Sequence, residues 1–126
     1  MKKVLIADDS ATARMFIKKS FSVLGKDYEF LEASDGMEAY KLLHSNEVQL
    51  LVTDITMPNM SGHELIKVVF EEEVPVEQII AVTSVGNEAL ENELKEFGVK
   101  IISKPISPAK LSEVLESEEN EDDLWG

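Results

Sequence analysis

Short unbroken apolar blocks alternate along this chain with longer stretches in which apolar residues recur every three or four positions. The blocks read as buried strands and the spaced stretches as amphipathic helices. Lys3–Ala7 is the first strand. Ser10 or Thr12 then suits a helix N-cap, because a short hydroxyl accepts from the unpaired amides of a first turn. Ala13, Phe16, Ile17, Phe21 and Leu24 follow as one stripe facing the core, and Gly25 ends it. Tyr28–Ala33 is a weaker strand, with Ser34-Asp35-Gly36 as its turn and a helix from Met37 to His44. Val48 to Asp54 is a third strand, and Gly62 opens a helix presenting Leu65, Ile66 and Val69. That helix stops at Glu71-Glu72-Glu73 and Pro75. Gln78–Val82, a helix over Asn87–Phe97 closed by Gly98, Val99–Ser103, and a last helix opened by Ser107-Pro108 complete the chain.

The order is strand then helix, five times over. Connections are short, and the strands are too apolar for either sheet face to meet water. This predicts an α/β fold of (βα)5 type, a doubly wound parallel sheet with helices on both sides and right-handed crossovers. A chain of 126 residues is expected to form one domain. We place it at 1–118, with residues 119–126 as a flexible acidic tail.

Composition narrows the partners. With 25 acidic against 12 basic residues the net charge is −13, which repels a phosphate backbone and argues against direct nucleic-acid binding. Seven of the eleven residues from Glu113 to Asp123 are acidic, read first as a solvated helix end and second as a docking tail. There is no cysteine, hence no disulfide, thiolate ligand or thiol nucleophile. The apolar run after Lys2 and Lys3 is too short for a signal peptide, and no stretch approaches membrane-spanning length. The expected setting is the cytoplasm, without a membrane.

Charged and hydroxyl groups gather where strands end. Asp8 and Asp9 follow the first strand, Asp54 closes the third, Thr83 the fourth, and Lys104-Pro105 follows the fifth. In an open parallel sheet those carboxyl ends share one edge, the usual place for a site. A lone Asp-Asp pair is most often a cap or a solvated turn. Joined by Asp54, Thr83 and Lys104 at three other strand ends, it reads as chemistry. Three clustered carboxylates repel one another and suit a hard divalent cation, magnesium above all. Asp54 could then be a ligand only, a general base, or a nucleophile that accepts a phosphoryl group. Lys104 and Thr83 could meet charge on transferred oxygens. His44 and His63 lie on helices and read as surface or satisfied residues. VLIADDSA lacks the glycines of a phosphate loop, so a nucleotide site is not expected.

The residues from Lys2 to Leu115 resemble the receiver domain of two-component response regulators, in particular the single-domain chemotaxis-type regulators. The motifs are Asp8-Asp9, DITMPNMSG from Asp54 to Gly62, Thr83-Ser84, and Lys104-Pro105. Each is weak alone, and together they are specific. The resemblance implies the flavodoxin-like strand order 2-1-3-4-5 and phosphorylation of Asp54 by a sensor histidine kinase. It implies Mg²⁺ held by Asp8 or Asp9, Asp54 and the carbonyl of Thr56. Thr83 and Lys104 would contact the phosphoryl group, Ser84 would be a cofactor-binding residue beside them, and Lys104-Pro105 would be cis. It implies a monomer acting on a downstream target protein, a flagellar motor switch protein if the pathway is chemotaxis. Where the family usually places tyrosine or phenylalanine, three residues before the lysine, this chain has Ile101. Output through a swinging ring is therefore not expected. Thr56 and Val85 carry no carboxylate or amide to orient water, which implies a long-lived phosphoryl state.

Three rival readings share parts of this pattern. A phosphorelay intermediate would use the same site. A flavin-binding electron carrier would need a phosphate loop where two aspartates stand. A magnesium-dependent phosphohydrolase would need a substrate pocket or cap domain. Self-phosphorylation and dephosphorylation are chemistry the chain would perform on itself, so its standing as an enzyme is left open.

Overall fold

The computed structural model describes residues 2–84 and 87–115. Within them, strand and helix alternate as β1 (Lys3–Ala7), α1 (Ala11–Val23), β2 (Glu29–Ala33), α2 (Gly36–Ser45) and β3 (Leu50–Asp54). They continue as α3 (Gly62–Glu71), β4 (Gln78–Thr83), α4 (Glu88–Glu96) and β5 (Lys100–Ser103). A fifth helix, α5, occupies residues 108–115. The strands form one sheet in the order β2-β1-β3-β4-β5, and every pairing is parallel. This is the (βα)5 doubly wound arrangement. The acidic tail at 119–126, most of the run to Asp123, and Val85 and Gly86 lie outside the described residues.

Alternation along each strand divides the core between the two sheet faces. Leu5, Leu51, Ile79 and Ala81 face the layer built with Ala39 and Leu43 of α2, Leu65, Ile66 and Val69 of α3, and Leu94 of α4. Val4, Ile6, Val52, Ile80, Val82 and Ile102 face the other layer, with Ile17 and Phe21 of α1 and Leu111 of α5. Ile101 is half-buried and packs against the first layer, while its neighbour Ile102 is buried in the second.

Each helix start has a side chain that meets its open amides. Ser10 Oγ accepts from Ala13 N at 3.2 Å, Asp35 Oδ1 from Glu38 N at 2.7 Å, and Ser61 Oγ from Glu64 N at 3.1 Å. Asn87 Oδ1 caps α4 through Leu90 N, and Ser107 Oγ serves Lys110 N. Ser10, and not Thr12, is therefore the α1 cap. Gly25 and Gly98 sit at φ +71° and +79°, closing α1 and α4 in the left-handed region as their sequence positions suggest.

One expected core residue is misplaced. Phe16 belongs to the predicted inward stripe of α1 but is 55% exposed, together with Met15. Ile17 and Phe21 already cover the sheet, and Phe21 is walled by the rings of Tyr28 and Phe30 at 5.6 Å. The buried stripe is narrower than the pattern of apolar residues.

Two glycines hold the loop after β3 against the helices. A Cβ on Gly62 would lie 2.0 Å from the Asp54 carbonyl oxygen, and one on Gly36 would lie 2.0 Å from the Met60 carbonyl oxygen. Both neighbours are backbone and cannot turn aside. Gly62→Ala should therefore cost about 2–3 kcal/mol. Gly25→Ala meets nothing within 4 Å, so only its φ opposes it, at about 1–2 kcal/mol. Urea unfolding of the two variants should show Gly62→Ala as the less stable.

Candidate functional site

Asp54 is the last residue of β3, and its carboxylate is buried. Strand alternation carries it to the face of Val52 and Val82, the face covered by α1 and α5. A buried charge needs partners. Ile55 N donates to Oδ1 at 2.8 Å, and Lys104 Nζ stands 3.1 Å from Oδ2. Lys104 reaches the site because its own amide donates to the Thr83 carbonyl at 2.8 Å, extending the β4–β5 pairing by one step. The Lys104-Pro105 peptide is cis, in line with the resemblance.

Asp8 follows β1, its amide bonded to the Ala33 carbonyl at 3.0 Å. Its side chain is buried, and Oδ1 accepts from Ser10 N at 2.9 Å. Asp9 is exposed beside it. Burial pushes the Asp8 carboxyl above its ordinary range. The Ser10 amide and Lys104 oppose that, and the charges of Asp54 and Asp9 reinforce it. One carboxylate oxygen from each of Asp8, Asp9 and Asp54 lies within 4.8 Å of the others. This oxygen-only set, crowded by like charge and half-buried, fits a hard divalent cation such as magnesium.

The predicted residues thus divide. Asp8, Asp9, Asp54 and Lys104 are brought together. Thr83 ends β4 on the neighbouring strand, paired in register with Ser103, and its hydroxyl donates to the Ser84 carbonyl at 2.9 Å. Its place in the strand gives it the parity of Ile79 and Ala81, the opposite face from Asp54. Thr56 and Ser84 are exposed on the loops that flank the site. His44 and His63 stay outside it. His44 Nε2 lies 3.4 Å from Glu72, and His63 Nε2 lies 3.0 Å from Glu93.

Several supporting residues escaped the sequence reading. Arg14 Nη1 donates to the Asp8 backbone carbonyl at 2.6 Å, while its Nε holds Glu32 at 3.0 Å. Lys18 joins Glu32 at 3.0 Å, and these cations, Lys18 first, draw the Glu32 carboxyl below its ordinary range. Arg14 thereby fixes the turn that carries Asp8. Its only signal in sequence is a place in the first turn of α1. Asn59 sits at φ +66° and donates to Asp35 Oδ2 at 2.8 Å, tying the loop after Asp54 to the cap of α2. A hollow of about 500 Å³ opens beside Asp8 and Lys104, walled by the exposed Phe16, Ile17 and Ile106.

The response regulator receiver domain family matches residues 4–116, and the chain belongs to that family. A chemotaxis protein CheY homolog of Campylobacter jejuni is 44% identical over 117 residues, covering 90% of this chain and 89% of its own length. Chemotaxis protein CheY1 of Helicobacter pylori is 39% identical over 120 residues, with 90% and 94% covered. Among solved structures, chemotaxis protein CheY4 of Vibrio cholerae aligns with a TM-score of 0.78 at 28% identity, over 93% of this chain and 98% of that one. Membership in this family supports a phosphoaccepting signalling switch. Among the described residues no helix is long and apolar enough to cross a membrane.

The raised Asp8 carboxyl has a consequence for stability. Because folding raises it, the folded state loses stability as pH climbs from the ordinary carboxylate range through the folded value, and stays at that lower level above it. In EDTA at neutral pH, Asp8→Asn should therefore be more stable than wild type, on the order of 1 kcal/mol after solvent screening, from the relieved cost of burying the charge first and relieved repulsion second. The gap should close below the ordinary range, and added Mg²⁺ should stabilise wild type far more than the variant. Thermal unfolding with and without EDTA across pH reads all three effects.

Proposed function

We propose that this chain is a phosphoacceptor switch in which Asp54 receives a phosphoryl group from a sensor histidine kinase. One observation carries the reading: the buried Asp54 carboxylate lies 3.1 Å from Lys104 Nζ and within reach of two further carboxylates. An Asp54 oxygen attacks phosphorus, the bond to the donor nitrogen breaks, and an acyl phosphate forms while the leaving imidazole nitrogen takes a proton. The new charge falls on phosphoryl oxygens outside the carboxylate, where the Lys104 ammonium can follow it. Thr83 and Ser84 flank the same edge and would donate to those oxygens. Asp8, Asp9, Asp54 and the Thr56 carbonyl would hold Mg²⁺, which when bound neutralises charge on the phosphoryl oxygens.

The Asp54 carboxylate is held by the Ile55 amide and the loop after it by the Gly62 amide, which suits in-line attack more than a broad substrate pocket. Thr56 offers no acid or amide to position water, so hydrolysis of the acyl phosphate is slow. The names of the Campylobacter and Helicobacter relatives point to chemotaxis, and through it to a protein target, a flagellar motor switch protein in a motile cell. The setting is cytoplasmic and the working form a monomer. A relay role would use the same site and is separated by a transfer assay with a histidine phosphotransfer protein.

Acetyl phosphate with Mg²⁺ should label wild type at Asp54 and leave Asp54→Asn unlabelled there. Undiminished label in that variant would overturn the reading. Lys104→Met should slow labelling by about 100-fold, the cost of losing one cation aimed at developing charge. Thr83→Ala should accept the group yet show a weakened gain in target affinity on phosphorylation.

A further inference from the structure

At the opposite end of the sheet from Asp54, the end of α3, the start of β4 and the end of α4 enclose a second hollow of about 380 Å³. Phe70 and Phe97 meet there with ring centroids 4.8 Å apart, and Phe70 is 45% exposed. Buried Ile79 contributes to the lining. Glu73 and Glu77 line the hollow too, and no lysine, arginine or histidine does. The segment from Glu71 to Glu77 carries four glutamates and no cation. Glu72 is drawn away to the Tyr40 hydroxyl at 2.9 Å. Glu73 sits at φ +52° with its amide on the Phe70 carbonyl at 3.2 Å. That left-handed turn favours glycine, yet here it holds a carboxylate at the rim.

Gln78 opens β4 and lines the cavity, and its side-chain nitrogen is buried without a hydrogen bond. Apolar walls and a rim of carboxylates define the chemistry of what fits there.

We propose that this hollow docks a short basic segment of a partner protein. One large apolar side chain packs on Phe70 and Phe97, and flanking lysine or arginine residues face Glu73 and Glu77. A second copy of this chain is a poor occupant, since each carries a net charge of −13. The hollow lies at the amino-terminal ends of the strands and Asp54 at the carboxyl ends, so the proposal stands apart from the phosphoacceptor reading.

The probe is the blocked peptide Lys-Arg-Phe-Leu-Arg-Lys, titrated into the full ¹⁵N-labelled chain at low and moderate salt. Saturable shifts should appear at residues 69–79 and 97–98. Phe70→Ala and Glu77→Lys should each weaken binding by about tenfold. Both should keep wild-type labelling by acetyl phosphate, which also reports that they are folded. Glu77 is exposed on a loop, so its variant remains informative if Phe70→Ala loses structure. The peptide with alanine in place of Phe-Leu should fail to saturate. Absence of saturable shifts, shifts centred on another face, equal binding of the alanine peptide, or unchanged affinity in Glu77→Lys would each overturn the proposal.

Discussion

Two buried carboxylates, Asp8 and Asp54, share the reach of a single ammonium, and the rest of the structure is arranged to tolerate that. Isolated charges do not stay buried without compensation. Backbone amides supply part of it, from Ser10 to Asp8 and from Ile55 to Asp54. With Asp9 included, three carboxylates and Lys104 leave a formal excess of two negative charges at the strand ends. That is the charge of one divalent cation, which is why an oxygen-ligating metal fits the site on electrostatic grounds as well as on donor type. The excess is a cost to the fold on its own and an affinity for what binds there.

Holding the excess in place falls to the connections. The loop from Asp54 to Gly62 turns back so tightly that the Gly62 amide bonds the Ile55 carbonyl at 2.8 Å, with no room for a Cβ. Asn59 links that loop to Asp35, whose carboxyl is lowered by the Glu38 amide first and by Asn59 second. One aspartate thus caps α2 and anchors the loop leaving the site. Arg14 does the same for Asp8 from the other side. The acidic centre stays put because its backbone is fastened to three helix starts, with α1 reached through Ser10 and Arg14.

Apolar blocks and helical spacing located every strand and helix to within a residue or two, because burial on both sheet faces leaves little choice of residue. The gathering of Asp8, Asp54 and Lys104 followed from strand ends alone. Strand order did not, since periodicity says nothing about neighbours; it came from the resemblance. Phe16 was misassigned because a helical stripe in sequence is wider than the area a sheet leaves uncovered. The Arg14 bridge to a backbone carbonyl and the Gly62 contact close back across irregular turns, and the Gly36 contact joins residues far apart in chain order. No local pattern announces them.

Parity within the strands explains the one predicted donor that is turned aside. Asp54 shares the face of Val52, whereas Thr83 falls on that of Ala81, and its hydroxyl is committed to the Ser84 carbonyl. Under the proposed function, a phosphoryl oxygen that takes the Thr83 proton must take it from Ser84. The loop after β4 then loses a bond at its first residue, so phosphate capture and loop release become one event. The next strand cannot amplify it through a ring. Ile101 is β-branched, stiff and packed against the α4 side of the core, paired in register with Ala81. Under that reading, change leaving the site travels as backbone movement from Ser84 into α4, whose start is capped by Asn87 and whose flank is braced by Glu93 against His63 and Lys67 of α3. That brace resists the movement, and the balance between it and the lost Thr83–Ser84 bond sets how far the helix responds.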